Sequence, residues 1–408
     1  MRPFDSKRVV LGVTGGIASY KSVWLARHLT QWGAAVDVVM TRAAAEFVGA
    51  ITFEAVTGRP VYSELLAAGH ALDHIRLVRD ASAIVVAPAT ADFLARAAHG
   101  HAGDLLTACL LASGPSQLAA APPVLLVPAM NDRMWAHGAT QRNAGALRAL
   151  GYQVLEPDDG PLAVGEGSGP GRMPEPETIA AYLGRLLEPA GGLRSRKIVV
   201  TAGPTREAVD PVRFLSNRSS GKMGVALAAA GWRRGADVTL IAGPLGVDIP
   251  AGPRHVAVET TSDMAAAVER AIGQADVLIM AAAPADFRAE APAASKIKKA
   301  GAVPTLALAG TPDILLTTRR ARPKGMVVVG FALETGNAVS AGREKLERKG
   351  LDLIVVNDAT EEGAGFEVDT NRVTLLSVSG ADEQLPLMPK TELADVILDR
   401  VEGMLRGR

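Results

Sequence analysis

The sequence predicts an α/β protein built from two doubly wound, three-layer domains in tandem. Three observations carry that expectation. Short β-branched runs alternate with helical patterns along nearly the whole chain. The strand runs, AIVVAP and PVLLVP among them, are continuously apolar, as strands covered on both faces are. The chain also begins twice: KRVVLGVTGG (7–16) and LRSRKIVVTAGPTRE (193–207) each lead from basic residues into a short apolar strand that ends in a glycine loop.

Taken in order, the first half reads as strand 8–14, helix 17–32, strand 35–41, strand 83–87, helix 90–99, strand 124–127, helix 138–150 and strand 152–155. Residues 156–175, EPDDGPLAVGEGSGPGRMPE, are too rich in Gly and Pro for a routine connection and suggest a disordered stretch or a lid. Helix 176–188 closes this half, and EPAGGLRSR reads as a linker. The second half continues with strand 197–201, helix 221–233, strand 237–242, helix 263–273, strand 276–281, helix 312–320, strand 326–330, helix 338–349, strand 352–356, strand 372–378 and an amphipathic helix 391–405. In such sheets ligands sit beyond the carboxyl ends of the strands, where VTGGIASYKS, APATAD and PAMNDRMW fall.

Composition agrees with two buried cores. The chain has 408 residues, whereas single cores stop growing near ~250–300. Hydrophobic residues make up 48%, charged 21% and aromatic 4%, so the cores are aliphatic and Ala-rich. Lys plus Arg and Asp plus Glu both total 43, so no global field draws the chain to nucleic acid or an anionic membrane. No signal peptide or membrane span is expected, because apolar stretches such as 118–130 are broken by prolines. The single Cys109 excludes a disulfide framework, and the cytoplasm is the expected compartment.

Two segments nearly match a phosphate-binding P-loop. GGIASYKS has the spacing from Gly15 to Lys21 and Ser22, but Tyr20 replaces the glycine before the lysine. SNRSSGKMG supplies Gly221 and Lys222, but Ser216 stands at the first glycine position and Met223 replaces the hydroxyl residue. Two readings stay open for each: N-capping by Ser19 or Ser219, or an anion site at a helix N-terminus. No Gly-x-Gly-x-x-Gly followed by an acidic strand end is present in the first half, which disfavours a dinucleotide and leaves room for a mononucleotide such as FMN.

VTGGIASYK, APATAD, PAMNDRMW and GPGRM, followed by TAGPTREAVDPVRFLSNRSSGKMG, AAAPADF, KIKK and VNDAT, closely resemble the bifunctional flavoproteins of coenzyme A biosynthesis. That family joins a phosphopantothenoylcysteine decarboxylase to a phosphopantothenate–cysteine ligase. The resemblance implies a flavodoxin-like or Rossmann-like decarboxylase over 1–188, a linker at 189–195 and a Rossmann-like ligase over 196–408. It implies FMN and Mg2+ as cofactors, and CTP, 4'-phosphopantothenate, cysteine and 4'-phosphopantothenoylcysteine as small-molecule partners. It further implies a homo-oligomer with a trimeric flavin half and a dimeric ligase half, closing as a dodecamer.

Site roles follow by the same resemblance. Thr14, Gly15, Gly16, Ser19, Thr41, Ala89 and Thr90 would form the flavin shell. His74 would serve as the active-site histidine and Asn131 would hold the substrate carboxylate, with Met130, Arg172 and Met173 beside it. The lid departs from the family: Val164 stands where many relatives carry a cysteine that protonates the enethiolate, which turns attention to Glu166 or water, while Cys109 reads as packing. In the ligase half, Lys296 would support acyl-cytidylate formation and Asn217 would handle that intermediate. Ser219, Gly221, Lys222, Ala282, Asp286, Lys298, Phe331, Lys345 and Lys349 would contact substrates, and Asp286 the magnesium. A nucleotide hydrolase using a near-P-loop and a non-enzymatic flavin-binding regulator are the rival readings.

Overall fold

The computed structural model describes residues 3–66, 69–114, 121–189, 191–298, 305–334, 338–358, 365, 367–378 and 380–408. It divides into two compact units, Met1–Pro189 and Ala190–Arg408. Lys299 of the KIKK run and Ala359 and Thr360 of VNDAT lie outside the described residues.

The first unit runs β1 (Arg8–Val13), α1 (Ser19–Gln31), β2 (Ala35–Met40), α2 (Ala50–Thr57), β3 (Val61–Tyr62), α3 (Asp73–Arg79), β4 (Ala83–Ala89), α4 (Ala91–Ala98), α5 (Leu105–Ala112), β5 (Val124–Pro128), α6 (Asp132–Ala136), α7 (Gly138–Ala149), β6 (Gln153–Val154), β7 (Asp158–Pro161), β8 (Ser168–Arg172) and α8 (Pro176–Leu187). Its sheet is ordered β3-β2-β1-β4-β5-β6 and is parallel throughout. Alternation along the buried strands sends Val9, Leu11 and Val13 to one core with Leu25, Leu29 and Leu183. Val10, Ile84 and Val86 go to the other, with Leu94, Leu106 and Leu147. Covering both faces explains why these strands are apolar at every position.

The second unit runs β9 (Lys197–Ala202), β10 (Arg206–Ala208), β11 (Phe214–Ser216), α9 (Lys222–Arg233), β12 (Asp237–Ala242), β13 (Arg254–Ala257), α10 (Thr261–Ile272), β14 (Val277–Met280), β15 (Phe287–Ala289), β16 (Leu308–Gly310), α11 (Ile314–Thr317), β17 (Val327–Glu334), α12 (Ala338–Lys349), β18 (Leu353–Asp358), β19 (Thr370–Asn371), β20 (Thr374–Ser377), β21 (Glu383–Gln384), β22 (Met388–Pro389) and α13 (Lys390–Arg406). Its sheet is ordered β13-β12-β9-β14-β17-β18-β20-β21. The pairs are parallel as far as β18 and antiparallel beyond it. The doubly wound expectation holds for both units.

Several local readings need correction. Residues 156–175 contain an antiparallel hairpin, β7 with β8. The strand signal was hidden because the buried positions of β8 are Gly169 and Gly171, so no apolar alternation marks it. A Cβ on Gly171 would lie 2.2 Å from the Met130 carbonyl oxygen, so only glycine lets this strand close on the β5 end. The expected helix 312–320 is a single α-turn and a 3₁₀ turn at Arg319–Ala321. The expected strand 372–378 forms as the shorter β20, which joins the large sheet, and is preceded by β19, which pairs with β22. Neither Ser19 nor Ser219 caps a helix: α1 is entered through Ala18 and α9 through Gly221, whose φ of +82° requires glycine. In the run read as a linker, Leu193 is buried and the Gly192 N–H donates to Glu402 of α13 (3.0 Å), so this stretch is docked within the second unit.

Candidate active sites

Each sheet has a switch point where strand order reverses, between β1 and β4 in the first unit and between β9 and β14 in the second. A cleft opens at the carboxyl ends of the strands at each of them, where doubly wound folds hold ligands.

The first cleft has a volume of about 410 Å³, within the usual range for a small-molecule site. Gly15, Gly16, Ile17 and Ala18, leading into α1, form one wall, and Pro88, Thr90 and Ala91 at the β4 end another. Met130, Asn131 and Met134 follow β5, and the β7–β8 hairpin closes over with Leu162, Glu166, Arg172 and Met173. Asn131 is the N-cap of α6: its Oδ1 accepts from the Arg133 N–H (2.9 Å), while its Nδ2 has no protein partner among the described residues. Thr90 caps α4, and its own N–H donates to Thr14 Oγ1 (3.1 Å).

Four expected shell residues are absent from this lining. Thr14 is buried and donates to the Pro88 carbonyl (2.8 Å), tying the β1 end to the β4 end. Ser19 is buried with its hydroxyl directed to the Thr14 and Gly16 carbonyls. Ala89 is buried, and Thr41 accepts from the Ala44 N–H. His74 sits on α3, outside the lining, with its Nδ1 buried and without a hydrogen-bond partner among the described residues. Val164 at the hairpin tip is fully exposed and also lies outside the lining. Cys109 is buried on α5, where burial first, then Asp73 and Asp104, push its thiol up to about 12, which keeps it protonated and inert.

The lysine of the first near-P-loop has a different task. Lys21 is buried, and its ammonium donates to the Met173 carbonyl (2.8 Å) and pairs with Glu175 (2.9 Å), a carboxylate shared with Arg172. It therefore fastens the return strand of the hairpin. Lys222 repeats the arrangement in the second unit, donating to the Glu367 carbonyl (2.8 Å) and to Asp369 (2.6 Å). The Asp369 carboxyl is held below its ordinary range chiefly by that ammonium. Spacing alone could not reveal either partner.

The second cleft, about 240 Å³, is walled by Ser219, Gly221, Lys222 and Met223 at the α9 start and by Ala282, Ala283, Pro284 and Asp286 after β14. Phe331 of β17 and Lys345 of α12 complete that side. Lys349 lies outside, paired with Asp313 (3.2 Å). Asn217 lies outside that lining: its Nδ2 donates to the carbonyls of Ala283 (3.1 Å) and Pro284 (3.0 Å), which ties the loop after β14 to the segment before α9. Lys296 and Lys298 are exposed and outside the lining. No group of three His, Cys, Asp or Glu side chains that could hold a metal is present among the described residues.

Lys390 lines the second cleft and was missed by sequence reasoning. It opens α13, is buried, and donates to the Gly365 (2.8 Å) and Val368 (2.5 Å) carbonyls. Its burial first, then Lys222, push its ammonium down to about 8, opposed by Asp369. A cation at a helix N-terminus opposes the macrodipole, and that was the one signal available.

Two units of one fold class, each with a cleft at its switch point beside the start of a helix, define a tandem enzyme of two α/β domains. The flavoprotein family model matches residues 2–188, and the model of the DNA/pantothenate metabolism flavoprotein C-terminal domain matches 193–404. The chain is 46% identical over 417 residues to the coenzyme A biosynthesis bifunctional protein CoaBC of Mycolicibacterium smegmatis, spanning 98% of this chain and 99% of that one. It is 43% identical over 400 residues to the protein of that name from Escherichia coli K12, spanning 97% and 96%. The chain belongs to the family of bifunctional coenzyme A biosynthesis proteins, with a flavoprotein decarboxylase half and a ligase half. No helix among the described residues is long and apolar enough to cross a membrane.

Proposed function

We propose that the second half joins 4'-phosphopantothenate to cysteine at the expense of CTP, and that the first half binds FMN and decarboxylates the product, 4'-phosphopantothenoylcysteine. The observation supporting this most directly is the placement of both clefts at switch points, each beside a helix start that suits a phosphate. The cytoplasm remains the proposed compartment.

The first cleft suits a flavin mononucleotide. A Cβ on Gly16 would meet only Thr90 Cγ2, at 3.9 Å, so the loop leaves open space where a phosphate can approach the backbone. Pro88, Ala91, Met130 and Met134 offer apolar surface for a flat ring. Bound flavin supplies a two-electron oxidation of the thiol carbon, which places the carboxylate β to a thiocarbonyl and lets it leave as carbon dioxide. The free Nδ2 of Asn131 is positioned to donate to that carboxylate, and Arg172 adds charge at the rim. Glu166, on the cleft side of the hairpin tip, is the proposed proton donor to the enethiolate, since Val164 has no proton to give and Cys109 is buried elsewhere. His74 lies outside the lining of the first cleft. In the trimer that the family resemblance implies, it would act in the cleft of a neighbouring copy.

In the ligase reaction a carboxylate oxygen of phosphopantothenate attacks the α-phosphorus of CTP and pyrophosphate leaves. The cysteine amine then attacks the acyl carbon and CMP leaves. Lys296 would stabilise charge on the phosphates in the first step, and Asn217, holding the 283–284 carbonyls, would shape the loop around the mixed anhydride in the second. Asp286 is a single carboxylate, so Mg2+ would bind there only together with triphosphate oxygens. Asp286→Asn should accordingly raise the magnesium concentration needed for turnover.

The test is to separate the steps. Lys296→Gln should abolish pyrophosphate release, with a loss of at least about 10²–10³-fold, whereas Asn217→Asp should still release it and accumulate an acyl-cytidylate detectable by mass. Equal lesions with no trapped intermediate would overturn the assignment.

A further inference from the structure

The turn between β10 and β11 contains a carboxylate with an unusual set of partners. Asp210 has a fully buried side chain. Its Oδ1 accepts from the N–H groups of Val212 and Arg213, both at 2.8 Å. Its Oδ2 accepts from Arg213 Nε (3.0 Å) and Nη2 (2.5 Å) and, across the loop, from the N–H of Ile297 (3.1 Å). Arg213 Nη2 also donates to the Ile297 carbonyl (2.8 Å). Both backbone polar groups of Ile297 are thus held by one ion pair. A further bond, from the Ala293 N–H to the Val209 carbonyl (3.0 Å), fastens the same loop four residues earlier.

Ile297 lies between Lys296 and Lys298, two exposed side chains with no protein partner among the described residues. Long cations on an irregular loop carry large rotamer freedom, so their reach into the cleft is defined by the backbone beneath them. The hairpin that carries Asp210 also ends in Ser216, next to Asn217, which is itself tied to Ala283 and Pro284.

We propose that Asp210 is a positioning residue of the ligase half, which clips Ile297 together with Arg213 and so places Lys296 for carboxylate activation. The inference rests on the reading of Lys296 given above. The Arg213 guanidinium above all, and then the surrounding N–H groups, hold the Asp210 carboxyl well below the usual carboxylate range against the effect of burial, so the clip stays charged at working pH. Asp210→Asn keeps the Oδ1 bonds but removes the charge that binds Arg213 and one acceptor for Ile297.

The test uses the full chain with CTP and phosphopantothenate and without cysteine, reading pyrophosphate release. Asp210→Asn should lower the single-turnover rate of pyrophosphate release on the order of 10²-fold, the loss expected of a catalytic group displaced by about 1 Å, with little change in the CTP concentration that half-saturates that rate. Trypsin should cut faster after Lys296 and Lys298. Arg213→Lys, which retains a cation for Asp210 but loses the fork to Ile297, should fall between wild type and Asp210→Asn. It also keeps the question answerable if Asp210→Asn does not fold. Full release by either variant per folded molecule, with unchanged trypsin cutting, would overturn the clip. If Lys296→Gln abolishes release while Asp210→Asn does not, the clip alone fails. If Lys296→Gln leaves release intact, the reading of Lys296 fails and the clip with it.

Discussion

Lys21→Met separates two readings of the first near-P-loop. The Lys21 side chain is 6% exposed and its partner Glu175 48%. Deleting one member of a buried ion pair costs about 3–5 kcal/mol, but Glu175 is largely solvated and keeps Arg172, so its stranded charge is screened. The Met173 carbonyl loses a charge-assisted bond, a contribution of about 1.5–3 kcal/mol. A net loss of about 2 kcal/mol follows, which in a domain of this size lowers Tm by roughly 4–8 °C. Because the ammonium is directed to Met173 and Glu175, flavin should still bind, and decarboxylation should slow as Arg172 and Met173 loosen. Differential scanning fluorimetry and the flavin absorbance of gel-filtered protein read both effects. An unchanged Tm with complete loss of flavin would show that Lys21 is a phosphate ligand after all.

Three further outcomes are expected. His74→Asn and Asn131→Asp should each be nearly inactive as decarboxylases, yet mixed oligomers of the two should regain activity; absence of complementation would place His74 in its own cleft. Glu166→Gln should slow the reductive half-reaction and accumulate oxidised enethiol, whereas Cys109→Ser should turn over normally; the opposite pattern would transfer the proton to the buried thiol. Lys390 is charged below its value of about 8 and loses that charge as pH rises through it, so KM for CTP should climb between pH 7 and 9, and Lys390→Gln should flatten the climb. The unfolded chain keeps this proton to about 10.4, so between those values the unfolded state binds more protons and the Lys390 contribution to stability rises with pH. A wild-type KM flat across that range would refute the assignment.

The central strands of both sheets were legible because burial on two faces leaves an unbroken apolar run, as in Ala83–Ala89 and Val277–Met280, whereas the short, part-exposed edge strands β3, β13 and β21 were not. The β7–β8 hairpin was not, since its inward positions are glycines, Gly169 close to Asp132 and Gly171 close to Met130. Gly15, Gly16 and Thr90 line the first cleft as the loop pattern suggested, but Thr14 and Ser19, absent from its lining, spend their hydroxyls on carbonyls. Spacing locates a residue on the chain and says nothing of where a four-carbon stem ends, which is why neither the Glu175 partner of Lys21 nor the Asp369 partner of Lys222 could be read from the near-P-loops. Asp210 was hidden for a related reason: its partner Ile297 is 87 residues away.

The central claim is that one polypeptide performs both reactions in sequence, and product stoichiometry tests it most directly. Purified protein should be yellow. Supplied with CTP, Mg2+, phosphopantothenate and cysteine, it should release pyrophosphate, CMP and carbon dioxide in equal amounts, with CTP consumption dependent on phosphopantothenate. Hydrolysis of CTP without phosphopantothenate, or release of pyrophosphate and CMP with no carbon dioxide from flavin-loaded protein, would contradict the account.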